Sequence, residues 1–119
     1  MNDDKHLLAI LRIGHETSMR GAGLSLVEAL RRAQYKRSRA SFGPAELRPL
    51  LRAHPAFSEE WLAYSEDKRT SGGWYLLRSG EMGRVGDPIA RKRFESLEEA
   101  VAEYVVHELD FWADLQDAG

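Results

Sequence analysis

The sequence predicts an α+β fold: a helical N-terminal half of about four helices, then a three-stranded antiparallel meander, then a C-terminal helix. Two changes of rhythm carry that expectation. Apolar residues recur at helical spacing as far as about residue 71, and from Ser71-Gly72-Gly73 onward they alternate with polar residues and turn signals instead. A capping-box spacing, Ser96-Leu97-Glu98-Glu99, then restores the helical period. Helices followed by a meander describe an α+β arrangement rather than a parallel sheet. The 119 residues are one domain's length, divided into a helical half (residues 1–71) and a meander plus helix (residues 72–119).

Each element has its own local cause. The first helix is expected from Asp3 or Asp4 to between Gly14 and Met19, with Leu7, Ile10 and Leu11 on one face and acids at its positive end. Gly21-Ala22-Gly23 breaks it. Ser25 and Glu28 have capping-box spacing for a second helix to about Arg37, followed by an extended Ala40-Ser41-Phe42. Gly43-Pro44 opens a third helix, which Pro49 should kink or divide and His54-Pro55 should end. Ser58 is the expected cap of a fourth helix, in which Phe57, Trp61 and Tyr64 share a face. Strands are expected at Trp74 to Arg78, around Met82 to Val85, and at Ile89 to Phe94. The third alternates poorly and carries Arg91, Lys92 and Arg93, the pattern of an edge strand guarded by charge. Gly80, Gly83 and Gly86 mark turns and a bulge.

Composition excludes several chemistries. With no cysteine there is no disulfide framework, thiolate metal site or cysteine nucleophile. No apolar run reaches the length of a membrane span, and the acidic Met1-Asn2-Asp3-Asp4 is unlike a signal peptide, so the expected setting is cytoplasmic. Gly23-Leu24-Ser25-Leu26-Val27 lacks the closing glycine of a nucleophile elbow. Gly21-Ala22-Gly23 lacks the third glycine of a dinucleotide fingerprint, because Leu26 stands in its place. His6, His15, His54 and His107 form no pair at i+3 or i+4. No cofactor or metal is implied, and the expectation is a protein that is not an enzyme. One residue stands apart. Glu108 falls in the middle of the apolar stripe Leu97, Val101, Tyr104, Val105, Trp112 and Leu115. A carboxylate there needs a basic or hydroxyl partner, a raised pKa, or a stripe partly open to water.

Charge supplies the functional expectation. The net charge of −2 hides an asymmetry: residues 1–73 hold twelve basic residues against nine acidic, and residues 74–119 hold five against ten. Such polarity attracts partners of opposite sign. The leading expectation is a protein partner with a basic surface, met by Glu99, Glu103, Asp110 and Asp114 of the closing helix. The charged stretch Glu66, Asp67, Lys68 and Arg69, beside the glycine hinge, joins them. In general character this resembles small acidic immunity, antitoxin or adaptor proteins. A second copy is a further candidate partner, its acidic helix meeting the basic strip. The alternative is a nucleic acid. The order helix, helix, helix, hairpin resembles a winged helix-turn-helix, with Arg31, Arg32, Lys36, Arg37, Arg39, Arg78 and Arg84 facing phosphates. Glu59 and Glu60 at the leading end of the recognition helix oppose that alternative.

Overall fold

The computed structural model of the chain describes residues 3–17, 25–68 and 73–118. The helical half is more finely divided than its periodicity predicts. The first expected helix is two, α1 (Asp3–Leu11) and α2 (Ile13–Glu16), joined at Arg12. The reason lies across the molecule: the Trp61 indole N–H donates to the Leu11 carbonyl at 2.9 Å, taking a partner from the helix ladder. The same indole lies so close to Gly14 that a Cβ there would meet ring atoms at 2.8 and 2.9 Å.

The second expected helix is also two, α3 (Leu26–Arg32) and α4 (Tyr35–Ser38). Between them Gln34 adopts the left-handed conformation, φ 54 and ψ 45, which ends a helix as glycine usually does. The Ser25 side chain caps α3 as expected, accepting from the Glu28 N–H. Arg39–Ser41 forms a 3₁₀ turn in place of the expected extended segment; the Ser41 hydroxyl donates to the Ser38 carbonyl at 2.7 Å and tightens it.

Helix α5 (Pro44–Ala53) starts at Gly43-Pro44 and runs through Pro49 undivided. Helix α6 (Ala56–Lys68) begins two residues before Ser58, so Ser58 is a buried first-turn residue and not the cap. The connector itself satisfies the exposed donors: the Phe57 N–H bonds the His54 carbonyl and the Ser58 N–H bonds the Pro55 carbonyl. Gly21-Ala22-Gly23, Arg69, Ser71 and Gly72 lie outside the described residues.

Strands β1 (Trp74–Leu76), β2 (Glu81–Arg84) and β3 (Asp87–Arg93) form the antiparallel meander in the order β1-β2-β3. Gly80 and Gly86 sit in the turns at φ 95 and φ 83, and the register shifts at Gly83/Arg84. β3 starts earlier than expected and includes Pro88, which an edge strand tolerates because that position needs no ladder donor.

Helix α7 (Leu97–Ala118) is the axis of the molecule, packed by α3, α5 and α6 and by β1 and β2. From Ala100 to Leu109 only Glu103 and His107 escape full burial, so the predicted stripe is in fact burial almost all round. Among the described residues no helix is long and apolar enough to cross a membrane.

Candidate functional site

Glu108 is fully enclosed, at 0% exposure, yet its carboxylate is well supplied with donors. The Trp74 backbone N–H donates to Oε1 at 2.8 Å, and the Tyr64 hydroxyl and the Trp112 indole N–H each donate to Oε2 at 2.8 Å. These bonds tie β1 and α6 to α7, and charge-assisted bonds of this kind are the stronger ones. Burial, followed by the negative Glu108, pushes the Tyr64 hydroxyl pKa far up. The Tyr104 hydroxyl is pushed up by the same two causes, and it has no partner at hydrogen-bond geometry among the described residues. A carboxylate so enclosed cannot touch a substrate in this conformation. Of the outcomes open to it, Glu108 takes the hydrogen-bonded one.

Three of the sequence-predicted acids of α7, Asp110, Glu99 and Glu103, have basic neighbours inside the chain. Asp110 accepts from the Tyr35 hydroxyl at 2.6 Å and from Arg39 Nε at 2.9 and 3.1 Å, while Arg39 also donates to the Phe42 carbonyl at 2.8 Å. Burial and the bond to Asp110 raise the Tyr35 pKa, and the same carboxylate raises that of Arg39. Glu99 pairs with Arg48 at 3.1 Å and sits at the helix cap with Ser96, while Glu103 lies 3.4 Å from His107. The positive front portion and the negative tail therefore meet within one molecule, at Arg39–Asp110 and at Arg48–Glu99. Glu66 is exposed, and the side chains of Asp67, Lys68 and Asp114 lie outside the described ones.

The basic candidates are scattered. Arg31 and Arg32 both reach Glu28, Arg78 makes a two-pronged pair with Glu59 at 2.8 and 2.7 Å, and Arg84 lies 5.0 Å over the Phe111 ring. Arg78 holds the Glu59 carboxyl below its usual pKa. Lys36 and Arg37 are exposed on α4. Helix α6, the recognition helix of the winged-helix expectation, turns Trp61, Tyr64 and Ser65 inward and leaves Glu59 and Glu66 exposed. An acidic outer face repels phosphates.

The structure assembles a different surface, at β3. The register pairs Tyr75 with Gly83 and Gly83 with Arg91, which defines the outer face of the sheet, with Arg93 at the alternate position opposite Glu81; Ile89 lies in the irregular stretch between Asp87 and Arg91. Gly83 is required there, since a Cβ would meet the Tyr75 hydroxyl at 2.6 Å and the Ala90 carbonyl at 2.8 Å. Ile89 is 90% exposed, the most open of the large apolar side chains described. On the inner face a cleft of about 250 Å³ lies between β3 and α7, lined by Trp74, Met82, Ala90, Lys92, Phe94 and His107 among others. The Trp74 and His107 rings stack at 4.7 Å, and the Lys92 ammonium lies 5.1 Å over the Phe94 ring. The poor alternation of residues 89–94 is the sequence signal for this surface, and by itself it indicates edge protection without revealing the cleft. Among the described residues no cluster of three or more His, Asp or Glu could hold a metal ion.

Comparison with protein families, with curated proteins and with solved structures gave no match.

Proposed function

We propose that the chain is a non-enzymatic protein-binding domain whose docking element is the β3 edge, where an extended acidic segment of a partner adds as a further strand. The observation that carries this reading is the make-up of that edge. β3 is seven residues long and, among the described residues, pairs on one side only, with β2. It presents Ile89 and three consecutive cations, Arg91, Lys92 and Arg93, all exposed. The cations discourage pairing with a second copy in register and favour a strand of opposite charge. Backbone hydrogen bonds supply affinity in this mode, and cross-strand charge pairs supply selectivity. The sign of the partner is thus opposite to the one suggested by the acids of α7, because Glu99 and Asp110 already have partners within the chain.

The test is a titration followed by fluorescence anisotropy, with a short labelled peptide that alternates Glu and Val and with a labelled DNA duplex. The peptide should bind at low salt and the duplex should not compete with it. Replacing Arg91→Glu and Arg93→Glu together should weaken the peptide about tenfold, at roughly 0.5–1 kcal/mol per cross-strand charge pair. A duplex that binds more tightly than the peptide, with steep salt dependence, would establish the nucleic-acid reading instead.

A further inference from the structure

We infer that the cleft beneath β3 is the specificity pocket of that edge, and that it receives an aromatic side chain from the added strand. This rests on the reading of β3 as the docking element. Side chains on neighbouring strands that lie opposite one another share a face of the sheet. Ala90, Lys92 and Phe94, at every second position, line the cleft, so a partner residue set opposite Ala90 or Lys92 projects over its mouth. The walls are suited to a ring: Trp74 and Phe94 are aromatic, Met82 is buried beside them, and the Lys92 ammonium already lies over one ring face. The space suffices, because an apolar cavity of about 150 Å³ holds a benzene ring and this cleft is about 250 Å³.

Charge selects the rest of the segment. Glu103, Arg91 and Lys92 all border the cleft, so its inward preference is set by the aromatic walls and not by charge. Arg93 belongs to the opposite face of the strand, where a carboxylate is favoured, while Arg91 is on that face by register and also borders the cleft. The segment that fits therefore alternates acidic residues outward with an aromatic residue inward.

Two labelled peptides test this, identical acidic strands with either Phe or Ala at one inward position. The Phe peptide should bind about tenfold more tightly, as expected for burying most of a phenyl ring. In the protein variant Ala90→Phe, which fills the cleft from the exposed edge, that preference should fall to about twofold or less. The wild-type protein offers a second readout: the Phe peptide, unlike the Ala peptide, should shift the Trp74 indole N–H resonance. Equal affinity of the two peptides, or a preference that survives Ala90→Phe with no shift at Trp74, overturns the pocket while leaving the edge intact. Failure of both peptides to bind overturns the edge as well.

Discussion

Glu108 shows how one residue can be legible in sequence while its partners are not. Its place in an apolar stripe announces a buried carboxylate, but Tyr64 and Trp74 come from 44 and 34 residues away, distances that no local pattern reports. Because both carboxylate oxygens accept, Glu108→Gln must turn an NH₂ group toward a donor. That variant should lose about 2–4 kcal/mol of stability in urea unfolding, whereas Tyr64→Phe, which removes one donor, should lose about 1 kcal/mol. The tyrosines add a pH dependence whose sign is fixed. Tyr35, Tyr64 and Tyr104 all have folded-state pKa values raised above their ordinary 10.0, chiefly by burial. Their contribution is complete below pH 10.0 and is lost as the pH climbs above it. The urea midpoint should therefore fall above about pH 10, with most tyrosinate absorbance appearing only as the chain unfolds; Tyr64→Phe should fall less steeply. Ionisation of these phenols in the folded protein at their ordinary pKa would contradict the burial described.

At the scale of elements, the fold class was legible because the change from helical to alternating period is written into residues 71–94, and both serine caps expected of α3 and α7 accept the N–H three residues on. The divisions at Arg12 and Gln34 were not legible. The first depends on Trp61, 50 residues from the carbonyl it binds, and the second on a left-handed glutamine where glycine would be the usual signal. Gln34→Gly should accordingly raise stability by about 0.5–1 kcal/mol, since it relieves the strained conformation without removing a described hydrogen bond of that side chain. The junction of α4 with α7 is similarly hidden, because Arg39 and Asp110 are 71 residues apart. Both are more than a third exposed, so a double-mutant cycle of Arg39→Ala and Asp110→Ala should give a coupling of only about 0.5–1 kcal/mol, reduced by salt. A coupling indistinguishable from zero at low salt would remove this pair from the tether.

For the whole molecule, composition revealed a charge polarity but not what the folded chain does with it. The two ends meet at Arg39–Asp110 and Arg48–Glu99, so some of the asymmetry is spent in holding α7 against the helical layer. Among the groups that stay outward is a cationic, partly apolar strand edge above an aromatic cleft. The measurement that tests this account most directly is a map of backbone amide shifts as an unlabelled acidic, extended peptide is added to the isotopically labelled protein. The shifts should concentrate in β3, from Ile89 to Arg93, and extend to Trp74 and His107 when the peptide carries an inward aromatic residue. Shifts gathered instead around Lys36 and Arg37 on α4, with β3 unmoved, would contradict it.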